Sequence, residues 1–161
     1  MADLTTNFIL GWRNSFLKHW RVTQDYTIAI AGAMPSEHYG FKPAPKECSF
    51  AEQLVHLAWG NRLYMTVWTA SPIPDRPNIQ EKTEVEEYLS DSFQHVTDVV
   101  GGLDERDLLR QDLGVPHVPP HTGTDILLRA YMHTAHHRGQ AVVYLRLKDI
   151  EPPDWAFIPT G

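Results

Sequence analysis

Apolar residues recur at helical spacing in four stretches of the chain, and the segments between them are punctuated by proline and glycine. In the first, residues 4–34, Phe8, Trp12, Phe16, Trp20, Thr23, Ile30 and Met34 follow one another at steps of three, four or seven, and Pro35 stops the run. This stripe predicts a core-facing helix. The second stretch, residues 49–70, opens on Ser49, Phe50, Ala51 and Glu52, the Ser-x-x-Glu arrangement of a capping box. Phe50, Leu54, Leu57, Met65 and Trp68 lie along one side of it and His56, Trp59, Leu63 and Val67 along another, so this helix is expected to pack between neighbours. The third begins with a Thr-x-x-Glu box at Thr83 to Glu86, presents Val85, Leu89, Ser92, Val96 and Val99, and ends at Gly101 and Gly102. The fourth covers residues 124–148, and Pro152 and Pro153 lie just beyond it.

The connection "SPIPDRPNIQEK" between helices two and three holds three prolines and no period. A loop of about a dozen residues is long for a bundle and can run its full height, so that helix three starts at the same end as helix two. The expectation is an all-α four-helix bundle with a long crossover between helices two and three, as a single domain over residues 1–161. "HYGFKPAPKEC" and "DLGVPHVPPHTG" read as irregular connections, and strand signals are poor throughout.

Composition narrows the partners. A net charge of −6, with 14 basic residues and no dense basic run, argues against nucleic acid, and no apolar run approaches the length of a membrane span. The N-terminus lacks the basic start, apolar core and cleavage site of a leader. The single cysteine, Cys48, excludes an intramolecular disulfide and a CxxC motif. A cytoplasmic protein with a small-molecule partner is expected, and any metal must be held by histidine or carboxylate.

The chemistry concentrates in "HTAHHRGQ", residues 133–140. At about 100° per residue, His133 and His137 differ by roughly 40° and face the same way, whereas His136 falls about 60° to the other side. Two imidazoles make an incomplete site, since a catalytic ion typically takes three protein ligands. The best candidate for the third is His56, the lone histidine of helix two, on an apolar flank with Trp59 and Leu63. Without a metal this pair on one helix would read as ordinary polar residues, and His136 reads either as an alternate ligand or as a residue of the helix margin. His117 and His121 share the HxxxH spacing, but the prolines between them point to a loop. Helical phase groups Tyr26, Ile30, Tyr88, Ser92, Gln140 and Tyr144 with Trp59 and Leu63 as lining for a pocket at the level of the ligands. No nucleophile elbow, phosphate loop or HExxH occurs.

"SFAEQLV" ahead of the helix-two histidine, "HTAHHRGQ" on the last long helix and the ending "IEPPDW" together resemble the DinB/YfiT-like superfamily of metal-binding four-helix bundles, over most of the chain. The resemblance implies up-down-down-up topology, often a homodimer, and a divalent ion, nickel or zinc, on three histidines: here His56, His133 and His137. It also implies metal-dependent transfer of a low-molecular-weight thiol to an electrophile, or a hydrolase-like relative of that reaction. The second reading is a non-catalytic, stress-associated metal-binding dimer or a small-molecule binding module. Gln140 is placed as a hydrogen-bonding partner behind the ligands, Gly139 as a point of close helix packing, and Arg138 as the partner of a carboxylate at the bundle rim or a dimer contact.

Overall fold

The computed structural model describes residues 4–115 and 119–155. His117 lies outside them. Four long helices carry the fold: α1 (Leu4–Ala33), α2 (Phe50–Thr69), α3 (Lys82–Gly102) and, after the five-residue α4 (Glu105–Leu109), α5 (Gly123–Leu147). A 3-10 turn, Ser36–His38, follows α1. One isolated antiparallel bridge, Leu113 with His121, closes the loop ahead of α5.

Among the long helices α2 packs on α3 and α5, and α5 packs on α1 and α2, while α4 rests on α5 and α1. Hydrogen bonds between helix ends fix their directions. Arg13, early in α1, donates to the Leu103 carbonyl just past α3, and Lys82 at the start of α3 donates to the Gly32 carbonyl at the end of α1, so the two are antiparallel. Tyr39, ahead of α2, reaches Glu86 in the first turns of α3, whereas Trp68 near the end of α2 reaches the Asp107 carbonyl beyond α3. These two helices run the same way. The connection between them therefore retraces α2: Trp59 Nε1 donates to the Pro74 carbonyl at 2.7 Å, Arg76 lies against His56, and residues 77–80 line a small cavity with Val55 and Glu52.

The expected box at Ser49 is formed, with Ser49 Oγ accepting from the Glu52 amide at 3.1 Å and Glu52 accepting from the Ser49 amide at 2.6 Å. The one at Thr83 is not. The cap position falls two residues earlier, on Glu81, whose side chain makes no cap bond, and Glu86 is engaged instead by Tyr39 at 3.1 Å and by Lys82 at 3.6 Å. α4 was missed although Asp104 and Asp107 form a reciprocal box of their own. Gly123 makes that turn possible, since a Cβ there would stand 2.4 Å from the Asp107 carbonyl.

The core follows the stripes, with one correction in α1. Trp20 is fully buried and Phe16 nearly so, but Phe8 is 72% exposed and Ile9 takes the inward position. Steps of four advance about 400°, so a run of them drifts about 40° per step, and Phe8 is three steps from Trp20. Phe93 and Val100 complete the α3 face beside Val85, Leu89, Ser92 and Val96.

Candidate metal centre

α2 and α5 lie against each other along a polar seam, and the histidines sit in it. Asn61 accepts from Thr134 Oγ1 at 2.8 Å and donates to Ser92 Oγ at 3.1 Å, with all three side chains buried. At the preceding position of α2, Gly60 removes the side chain that would otherwise occupy the seam. A Cβ there would stand 2.2 Å from His133 Cε1 and 2.6 Å from its Nδ1. The space a glycine leaves is the space the imidazole fills.

His56, His133 and His137 come together as the spacing predicted. Each offers a ring nitrogen such that the three lie within 4.8 Å of one another. The His56 and His133 Nε2 atoms are 3.4 Å apart, and ring centroids are separated by 5.2 Å (His56–His133), 4.5 Å (His56–His137) and 4.4 Å (His133–His137). Burial, and next the neighbouring imidazoles, push His133 down to about 3 and His137 down to about 4. His56 is lowered by burial and then by Arg76. All three rings are thus neutral near pH 7, with lone pairs available to a cation. His133 Nδ1 is buried with no hydrogen-bond partner, a cost an uncommitted core histidine would not ordinarily carry. Three imidazoles converging from two helices, one of them incompletely satisfied, fit a divalent ion of the borderline class.

The surroundings differ from the lining expected from helical phase. Trp59 stacks beside His56, centroids 5.7 Å apart, and Leu63 is buried two turns along α2. Tyr144 is displaced from the site: seven residues beyond His137, about 10 Å along the axis, it donates to the Cys48 carbonyl at 2.6 Å and packs on Phe41 and Phe50. Ser92 belongs to the Asn61 network, Tyr88 lies under Arg62, Ile30 is in the core and Tyr26 stacks on Trp155. Gln140 does contact the site, through a side-chain hydrogen bond to His137 and through a residue that sequence reasoning missed. Gln53, one turn before His56 and buried, donates from Nε2 to the side-chain Oε1 of Gln140 and lies 2.8 Å from His137 Nδ1. A glutamine three residues before a candidate ligand was the available signal.

His136 is exposed and contacts Gln140 at 3.0 Å, off the triad. It lines, with His121 and Arg129, a cleft of about 720 Å³ that opens beside His133. Two readings of the motif need correction. A Cβ on Gly139 would meet nothing, so Gly60, not Gly139, is the point of close approach. Arg138 pairs with no carboxylate among the described residues; its guanidinium lies 5.3 Å from the Tyr26 and Trp155 ring centroids, and burial lowers its pKa.

Residues 19–141 match the DinB superfamily. The chain belongs to that superfamily. A DinB relative, the uncharacterized protein YjoA of Bacillus subtilis strain 168, is 28% identical over 136 residues, 83% of this chain and 88% of its own. Crystal structures of DinB-like proteins share the fold. One from Bacillus cereus ATCC 10987 superposes with a TM-score of 0.77 at 16% identity, covering 88% of this chain and 95% of that one. YjoA itself superposes with a TM-score of 0.74 at 24% identity, covering 88% and 97%.

Proposed function

We propose that this DinB protein binds one divalent ion, nickel or zinc, through His56, His133 and His137, and uses it to transfer a low-molecular-weight thiol to an electrophile. The observation that carries the reading is the convergence of three neutral imidazoles from two helices within 4.8 Å, with His133 Nδ1 buried and unsatisfied. Imidazole nitrogen suits zinc and nickel better than the hard oxygen-seeking cations. Bound there, the ion would supply an uncompensated positive charge that lowers the pKa of a thiol or a water in an open coordination position.

The chain's own residues set the conditions. Gly60 admits the His133 ring, and the Asn61–Thr134 bond holds α2 and α5 in register. Gln53 orients His137, its side-chain amide lying 2.8 Å from the Nδ1 of that ring. Trp59 ties the crossover loop to the flank of His56. Exposed Leu4 and Phe8 at the start of α1 suit a homodimer contact. No helix among the described residues is long and apolar enough to cross a membrane.

Metal analysis of untagged protein tests the first half: one ion per chain is expected, lost in His56→Ala and His137→Ala. Stoichiometry near zero after refolding with nickel, zinc and manganese would overturn it. For the second half, several low-molecular-weight thiols are assayed against a chlorinated aromatic with and without chelator. Chelator-sensitive conjugation is expected, and uncatalysed rates for every metal-loaded combination would remove the transferase reading for those substrates.

A further inference from the structure

The cleft beside His133 has a chemical gradient of its own. On α5, Asp125, Arg129 and His133 follow one another at four-residue steps and all line it, with Tyr64 of α2 opposite. Asp125 and Arg129 have the spacing of a helical ion pair, yet no ion pair among the described residues joins them. The guanidinium is therefore available to a ligand. Beside it, Leu128 is 47% exposed and Met132 68% exposed, two large apolar side chains left open to solvent on the cleft wall. A volume of about 720 Å³ is that of a small-molecule site.

We propose that this cleft binds a carboxylate with an apolar body, its anionic end on Arg129, its body on Leu128 and Met132, and its reacting end towards the histidines. A guanidinium presents a planar fork of donors that matches a carboxylate two bonds at a time, which a neutral amide cannot satisfy. Asp125 restricts the charge: a second negative charge on the ligand would face its carboxylate one turn from Arg129. This selects a monoanion over a phosphate-like dianion. Arg129 lies one turn from His133, so the carboxylate and the reacting atom of the ligand are separated by roughly 6 Å. The role of the reacting end rests on the metal-binding reading above; the carboxylate subsite does not.

The test is an NMR shift titration of the folded, metal-free chain with hexanoate and with its neutral analogue hexanamide, repeated after loading with zinc. Hexanoate should shift α5 resonances around Arg129 and bind about fivefold or more tightly than hexanamide, as a charge-assisted pair requires. Arg129→Gln should erase that preference while leaving hexanamide binding unchanged, and Asp125→Asn should strengthen hexanoate binding. Equal binding of the two probes, no shift at α5, or an intact preference in Arg129→Gln overturns the proposal. A chain that takes up no zinc but keeps the Arg129-dependent preference leaves the carboxylate site standing and defeats the metal reading alone.

Discussion

Two regions of the bundle, the aromatic face of α1 and the seam between α2 and α5, are built from opposite materials. Along α1, Trp12, Phe16 and Trp20 stack in sequence, centroids 5.9 and 5.7 Å apart, with Phe16 edge-on to Tyr131 of α5 and Trp20 meeting Phe93 of α3 at 5.0 Å. Trp20 is fully buried and its one polar atom donates to the Phe93 carbonyl at 3.3 Å. Between α2 and α5 the corresponding positions are Gln53, His56, Asn61, His133, Thr134 and His137. There a ring nitrogen is left buried without a partner. The aromatic seam removes apolar area from water and satisfies its donor; the polar seam gathers hydrogen-bonding groups and leaves the His133 Nδ1 without a partner. Stability and binding capacity are thus located in different regions of the bundle, and substitutions should separate them.

The sharpest separation should come from Trp20→Ala, which opens a cavity in the aromatic seam and should cost about 3–5 kcal/mol of unfolding free energy. Denaturant melts would show this loss, while folded protein should keep its metal stoichiometry. If metal binding falls in proportion to stability, the two seams are not independent.

Gly60→Ala should do the reverse. Alanine favours a helix interior over glycine by about 1 kcal/mol, but its Cβ would force the His133 ring aside. Metal affinity, measured by competition with a chelator, is expected to fall about 10- to 100-fold, as when a ligand loses its orientation, with little loss of melting temperature. Unchanged affinity would mean that His133 is not held by that contact.

pH offers a third route. In the unfolded chain the histidines titrate near their ordinary value of 6.5, whereas the folded chain holds His133 down to about 3 and His137 down to about 4. Below about pH 6.5 the unfolded state takes up protons that the folded state refuses, so stability of metal-free protein should fall as pH drops towards 4 and be flat for these groups above 7. Melts of His133→Leu should show a shallower decline. A decline identical to that of the wild type would place the pH dependence elsewhere. The smallest effect is expected at the exposed end of the aromatic stripe, where Phe8→Ser should change monomer stability by no more than about 0.5 kcal/mol in denaturant melts.

The legibility of the two seams in the sequence was also unequal. The α1 stripe was visible because burial tracks periodicity, and it failed at Phe8 because the drift of a four-residue step accumulates along a helix that its neighbours cover only in part. The triad was legible because HxxxH fixes two rings on one face and only one histidine was available on helix two. Gln53 was not, since its role depends on the rotation of α2 against α5. The same holds for Tyr144, whose helical phase was right while its height along α5 was too great to reach the ligands. Gly60 and Gly139 show the limit most plainly: the motif drew attention to the second, and contact across the seam gives the role to the first.

What the sequence determined by itself was local and periodic: the long helices, the cap at Ser49, the length of the crossover and the shared face of His133 and His137. Each depends on interactions within a few residues or on repeats that solvent exclusion imposes along one element. Tertiary structure alone decided which glycine made room for the His133 ring, where the cleft opened and that Arg138 lies among aromatic rings. Those outcomes depend on the rotation and height of one packed helix against another, quantities set by the sum of contacts across the interface and written in no single segment of the chain.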